Sequence, residues 1–307
     1  MNSFGDKWTF TSFGESHGAA IGGVLDGVPA GLHIDFDMIR EELERRAGKG
    51  LVGASQRAVR EPDEVEWLSG VMDGVTLGTP IGFIIRNQDA RPEDYEWLKH
   101  TYRVGHADKV YEQKYGIRDW RGGGRASARE TAARVVAGCV AKQELAQKGI
   151  AIRAELVQVG SETDPTKFDQ VIAAYQKDGD SIGGIVECRI QGMPVGVGEP
   201  IFDKLQAHLA YAVMSINACK GFEYGTGFGG VNQPGSTINA ISGGISGGIS
   251  DGSEIIFRCV FKPTPSTPKA GVKGRHDACV ATRAVPVVEA MTALVLINAL
   301  PEASIAP

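Results

Sequence analysis

The stretch GGGRASARETAARVVAGCVAKQELAQK, residues 122–148, carries the strongest local signal in the chain. Its three leading glycines break whatever structure precedes them, because a backbone without Cβ is the easiest to turn and the costliest to hold in a helix. Ser127 and Glu130 then stand at the spacing of a capping box, in which the Ser oxygen and the Glu carboxylate satisfy amides orphaned at a helix start. Ala132, Val136, Cys139, Val140 and Leu145 follow at helical spacing, so the stretch predicts a capped helix with an apolar face. Arg118, Arg121, Arg125, Arg129 and Arg134 surround its beginning. A helix start offers free amides and the positive end of the dipole, so this cluster is a candidate phosphate or carboxylate site. The plain alternative is a solvated basic face.

Working outward, the opening residues read as strand, with turn material at Asp26-Gly27 and Pro29-Ala30-Gly31. Asp37 to Arg46 has helical spacing, with Ile39 and Leu43 on one side and Arg45 and Arg46 at the end where cations suit the dipole. Between Trp67 and Asn87, apolar runs around Val71 and at Ile81–Ile85 predict strand, turn, strand. Farther on, Ile182–Ile190 and Ile255–Phe261 read as strands and Phe202–Ile216 as an amphipathic helix. Pro286 is placed at the start of a final helix through Met291 and Leu294, since proline is tolerated in a first turn. The near-repeat of Ile241–Ser250 is too short for a solenoid. No linker separates two halves, so residues 1–307 are expected to fold as one unit.

Composition narrows the classes. With 307 residues, 42% hydrophobic and 22% charged, the chain has the make-up of a soluble globular protein. A net charge of −5 argues against nucleic-acid binding, so an anionic ligand must be met by a local basic patch. The 41 glycines cluster without a three-residue period, which suggests a ligand site lined by main chain. Cysteines at 139, 188, 219, 259 and 279 form no CxxC pair and have no zinc-like His spacing, so a reducing compartment and no metal are expected. Residues 1–10 contain Asp6 and Lys7 and no signal-like apolar stretch, and nowhere do eighteen apolar residues run together. The expectation is a cytoplasmic chain with no membrane segment.

Gly14-Glu15-Ser16-His17-Gly18 matches a GxSxG nucleophile elbow, but that device needs a helix directly after the turn, and Ala19 to Val24 reads as strand. A serine hydrolase based on Ser16 is therefore disfavoured. Gly105-His106-Ala107-Asp108 and Arg275-His276-Asp277 each set an imidazole beside a carboxylate in a short turn. Loop histidines are often structural, yet three His-bearing polar turns among six histidines favour proton transfer near neutral pH. The residues by themselves lead to an anion-binding enzyme with acid–base histidines.

These pieces, in this order, resemble the chorismate synthase family along essentially the whole chain. The matching runs are Ser12-Phe-Gly-Glu-Ser-His-Gly18, Gly105-His-Ala-Asp108, Lys114-Tyr-Gly-Ile-Arg-Asp119, Arg121-Gly-Gly-Gly-Arg125, Ser127-Ala-Arg-Glu-Thr131, Met214-Ser-Ile-Asn-Ala218, and Gly274-Arg-His-Asp277 with Arg283-Ala-Val-Pro286. The resemblance implies an α+β fold, a β-α-β sandwich of antiparallel sheets with helices, assembled as a homotetramer with sheets paired across subunits. It also implies a lyase that uses reduced FMN to eliminate phosphate in trans-1,4 fashion from 5-enolpyruvylshikimate-3-phosphate, giving chorismate. By position, His17 would donate a proton toward the departing phosphate, His106 would protonate or steady the reduced flavin, and Asp277 would assist proton transfer near flavin N5. Arg46, Arg129 and Arg275 resemble the family's substrate-anion clamps, where a guanidinium fork suits phosphate and carboxylate oxygens. Ser16 would hydrogen-bond the substrate beside His17. The flavin would be lined by Arg125, Ser127, Asn217, Ala218, Gly247, Arg275 and the run Lys262, Pro263, Thr264, Pro265, Ser266. No GxGxxG follows a strand and opens a helix, so an external flavin reductant is favoured over NADPH bound by this chain.

Departures from the family pattern are specific. Its Arg-Ser-Ser is Arg125-Ala126-Ser127 here, and the Arg-Pro-Gly before the second histidine is Arg103-Val104-Gly105. The family's Pro-Gly-x-Ser-Arg stretch after Arg46 is replaced by Ala47–Gly53, which leaves Arg57 as the nearest candidate for one further anion-binding arginine. Segments are short near Glu162–Thr166, Gly229–Ser236 and Thr267–Gly274, either as omitted loops or as deletions that would weaken cofactor retention. A flavin- or phosphate-binding relative without catalysis is the runner-up.

Overall fold

The structure, a computed structural model, describes residues 1–238, 242–272 and 276–301. Its first sheet comes from the opening residues. Strands β1 (Ser3–Phe4), β2 (Thr9–Gly14) and β3 (Ala20–Asp26) pair in sequence, burying Phe10, Ile21 and Leu25 on the inner face. Then β4 (Ala30–His33), β5 (Val65–Trp67), β6 (Val71–Met72), β7 (Val75–Leu77) and β8 (Ile81–Arg86) follow. The sheet order is β1-β2-β3-β8-β5, with every pair antiparallel. The two apolar runs between Trp67 and Asn87 do not form one hairpin. Val71 lies in a small sheet β4-β7-β6, whereas Ile81–Ile85 sits between β3 and β5. A run as apolar as β8 needs cover on both sides, which only the interior of the larger sheet supplies.

The second sheet has the order β11-β14-β10-β9 and is also antiparallel, from β9 (Ala151–Val159), β10 (Gly184–Gln191), β11 (Cys219–Tyr224) and β14 (Ile255–Phe261). The glycine-rich repeat makes the small hairpin β12 (Ile245–Ser246) and β13 (Ile249–Ser250), while Ile241 lies outside the described residues. The helices are α1 (Phe36–Ala47), α2 (Gln56–Arg60), α3 (Asp108–Tyr115), α4 (Thr131–Gln147), α5 (Phe168–Lys177), α6 (Leu205–Met214), α7 (Gly235–Ile238) and α8 (Ala281–Ala299).

Helices α4 and α8 form the middle layer. α4 packs on β2, β3 and α8, and α8 packs on β9 and β10, so the layers run sheet, helices, sheet. This is the expected β-α-β sandwich. Both helices are apolar nearly all round, which demands burial on every side. They approach closely at Gly138, where a Cβ would stand 2.3 Å from that of Ala290. α8 is long and apolar enough to cross a bilayer by length and composition, yet 89% of its most apolar window is buried between the layers.

Local signals explain the ends. α1 begins as its capping chemistry requires, with the Asp35 carboxylate accepting the Met38 amide at 2.9 Å, and ends at Gly48 with φ 76°. Ahead of α4, the Ser127 hydroxyl accepts the Arg129 amide (3.3 Å) and a single 3₁₀ turn, Ala128–Glu130, leads into the helix. The second half of the capping box is not made, because Glu130 pairs with Arg134 instead. α8 starts five residues before Pro286, which therefore lies in the second turn and removes the amide that would bond the Thr282 carbonyl. Burial of Ala281 and Ala284 and the ion pair of Arg283 with Asp277 offset that loss.

Two polar clusters tie the layers together. Glu289 of α8 bonds Arg45 (3.1 Å), Lys142 (2.8 Å) and the Ala154 amide (2.8 Å), and Glu42 joins Arg45 and Lys142, so α1, α4, α8 and β9 share one ionic network. At the far end of α8, Asn298 Oδ1 accepts the amides of Asp6, Lys7 and Trp8, fixing the turn before β2.

Candidate active site

A cavity of about 580 Å³ opens where the β2–β3 turn, α2, the turn before α3, the glycine triplet before α4 and the loop after β14 converge. His17 reaches it from the β2–β3 turn and is only 5% exposed. Ser16 Oγ lies 3.0 Å from His17 Nδ1, the edge of Tyr95 packs on the ring at 4.8 Å, and Arg57 Nη1 lies 3.4 and 3.3 Å from its two nitrogens. Arg57 also donates to the Ser16 carbonyl at 2.5 Å. Because residues 20–26 are strand, the helix that a nucleophile elbow needs is missing, and Ser16 serves His17 as a neighbour.

His106 is oriented differently. Its Nδ1 lies 2.8 Å from Asp108, whose carboxylate also accepts the Arg103 side chain (2.9 and 2.8 Å) and amide (3.0 Å). Burial opposes ionisation of Asp108, but the bonds from Arg103 and His106 outweigh it and hold the carboxyl well below its ordinary range. An ionised oxygen at that distance requires the proton on Nδ1, which leaves Nε2 as the working nitrogen.

The arginines expected to clamp the substrate are already engaged. Asp63, buried and held at φ 51°, bonds both Arg46 (3.1 Å) and Arg129. Arg46 further donates to Thr131 Oγ1 and the Ala128 carbonyl, and Arg129 to Asn87 Oδ1 and the Arg86 carbonyl. Burial lowers the Arg46 pKa to about 9 against the pull of Asp63, still protonated at neutral pH. Buried guanidinium groups must be paired, so these two line the cavity as a braced wall and not as free forks. Arg275, the third expected clamp, lies outside the described residues. Asp277 is likewise paired, accepting Arg283 Nη1 at 2.8 and 2.6 Å and the Ser55 amide at 2.8 Å.

Of the residues expected around the flavin, Arg125, Ser127, Asn217, Ala218, Lys262, Thr264, Pro265 and Ser266 line the same cavity. Pro263 is within that run but does not line it, and Gly247 belongs to a separate groove beside Phe222, Tyr224 and Phe228. Arg125 reaches across to Ser12 Oγ (2.6 Å), and Lys262 Nζ donates to the Gly105 carbonyl (3.3 Å). Asn217 Nδ2 donates to the Ala126 carbonyl at 3.0 Å, while its Oδ1 is buried with no hydrogen-bond partner among the described residues. Sequence reasoning missed Asp63, Tyr95 and Glu61, which lines the cavity and pairs with Arg57 at 3.4 Å. Arg57, which was given no role, had a signal in the vacancy left by the altered stretch after Arg46.

Among the described residues, eight Lys or Arg side chains and three carboxylates line the cavity, together with His17, His106 and His276. Fold and pocket together define a β-α-β sandwich whose cavity is lined by cations and histidines. The chorismate synthase family profile matches residues 8–300. Chorismate synthase of Christiangramia forsetii is 48% identical over 343 aligned positions, covering 96% of each chain, and that of Phocaeicola vulgatus is 45% identical with 97% of each covered. A solved structure described as the crystal structure of chorismate synthase matches with a TM-score of 0.78 at 31% identity, over 96% of this chain and 92% of the other. The chain belongs to the chorismate synthase family. The match to the C. forsetii protein has more positions than the 307 residues here, so this chain carries gaps within it.

Proposed function

We propose that this chain converts 5-enolpyruvylshikimate-3-phosphate to chorismate by an FMN-dependent trans-1,4 elimination of phosphate, as a cytoplasmic homotetramer supplied with reduced flavin by an external reductant. The observation that carries the reading is the meeting of two separately oriented histidines in one cation-lined cavity, in a member of this family. The residues present fit a flavin. The orphaned Asn217 Oδ1 suits a ring N–H, Ser127, Thr264 and Ser266 offer hydroxyls, and Lys262 and Arg125 suit a phosphate.

Bound reduced FMN supplies electron density to the substrate ring and is regenerated overall. In this reading His17 delivers a proton to the departing phosphate oxygen, with Arg57 beside it to meet the phosphate charge. His106, its tautomer set by Asp108, would offer Nε2 to a flavin held in this cavity. Asp277, held by Arg283 and the Ser55 amide, is the carboxylate that assists proton transfer near the flavin, and Arg46 and Arg129 keep the substrate's surroundings positive and water-poor. The test is anaerobic incubation of the protein with chemically reduced FMN and 5-enolpyruvylshikimate-3-phosphate, following chorismate absorbance and phosphate release together. Both products should appear in equal amounts. Flavin uptake with neither product would instead make this chain a catalytically silent relative.

A further inference from the structure

We propose that Gly122 and Gly123 are the positioning residues for the two histidines, with Gly124 doing the same for Glu15. The three glycines have φ of 64°, 92° and 52°, and each is met by an ionisable side chain from elsewhere in the chain. A Cβ on Gly122 would lie 2.0 Å from His17 Cε1 and 2.1 Å from its Nδ1. One on Gly123 would lie 2.6 Å from His106 Cε1 and 3.0 Å from Arg103 Nη2, and one on Gly124 would lie 2.3 Å from Glu15 Oε2.

Neither ring can step aside. His17 is enclosed by Ser16, Arg57 and Tyr95, and His106 is fastened to Asp108. Glu15 is held by the Arg125 amide, the next along the strip. Adjacent Cα atoms are about 3.8 Å apart, so both imidazoles rest on neighbouring peptide units. Their mutual placement is thus set by one short piece of backbone, although the turns that carry them are far apart in sequence. The same strip continues into Arg125, Ser127 and Arg129, so a single segment registers the acid–base groups against the cofactor and anion walls. The kinetic part of this inference rests on the proposed function; the structural part does not.

The test is a chemical footprint of the flavin-free protein with diethyl pyrocarbonate, mapping carbethoxylated histidines by peptide mass spectrometry. Gly122→Ala should raise the rate at His17 several-fold and leave His106 unchanged, and Gly123→Ala should do the converse. Gly149→Ala is the control, since Gly149 has φ 76° but no atom within 4 Å of its added Cβ, so it imposes backbone strain without collision. It should alter neither histidine. Equal responses of both rings in each variant, or a Gly149→Ala footprint like the other two, would overturn the proposal. If Gly122→Ala folds poorly, the His17→Ala/Gly122→Ala double variant should melt higher than Gly122→Ala alone, because the ring that the methyl meets is gone; additive losses would count against the idea. In turnover, Gly122→Ala should lose about 100-fold in kcat with little change in KM, as expected for roughly an ångström of misplacement. A wild-type protein that shows the selective footprints yet makes no chorismate would sink the proposed reaction and leave the positioning role standing.

Discussion

His106 depends on Asp108 for which nitrogen carries its proton, and the two can be separated by experiment. Asp108→Asn keeps the shape but not the charge that fixes the tautomer, so kcat should fall by about 10²-fold or more with KM little altered, as measured in steady-state assays. The stability linkage has a definite sign. A carboxyl held below its ordinary value stabilises the fold fully above about pH 4 and loses that contribution as pH falls toward the depressed value. The stability gap between wild type and Asp108→Asn should therefore be flat above about pH 4 and narrow below it in chemical denaturation. His17→Ala should lower kcat far more than substrate affinity, because a proton given to the leaving group matters mainly in the transition state; normal turnover would remove His17 from the reaction. His17, His106 and Asp277 stood out in short polar turns and Asn217 only through the family resemblance, and all four line the cavity. The braced state of Arg46 and Arg129 was not legible, since it depends on Asp63, 17 and 66 residues away, and pairing at that range leaves no local pattern.

Among the elements, α1, α4 and β14 could be read almost to the residue, because capping groups and apolar periodicity act within one or two turns. The start of α8 could not, as tertiary contacts of Ala281, Arg283 and Ala284 outweigh the local preference of Pro286. The ionic cluster around Glu289 belongs to this scale. Burial pushes its carboxyl upward, but Lys142 and Arg45 overcome that and hold it below the ordinary range. Glu289→Ala leaves the partly buried Lys142 with Glu42 alone and abandons the Ala154 amide, which should cost about 2 kcal/mol in urea denaturation. In wild type this contribution is present above the ordinary Glu pKa of about 4.3 and fades as pH falls through the lowered value, so the variant should show a shallower acid limb.

Across the whole molecule, a chain of net charge −5 lines its histidine-bearing cavity with eight cations against three carboxylates among the described residues, so the cavity is locally cationic. For a phosphate- and carboxylate-bearing substrate, kcat/KM should fall as ionic strength rises from about 0.01 to 0.15 M, over which the screening length shrinks from about 30 to 8 Å, while kcat stays nearly constant. Layer order was legible only through the family resemblance, because strand pairing between residues 150–160, 184–191 and 255–261 has no short-range signature. The position of α8 has a consequence for synthesis. The helix on which the second sheet and α4 both close follows every described strand in the order of translation, and its Asn298 pins the turn at residues 6–8. A nascent chain on the ribosome therefore holds the apolar face of the second sheet and the bare side of α4 open to solvent until residues 281–299 emerge. During that interval the polypeptide is a natural client for chaperones, and it locks only when its middle arrives after its outside.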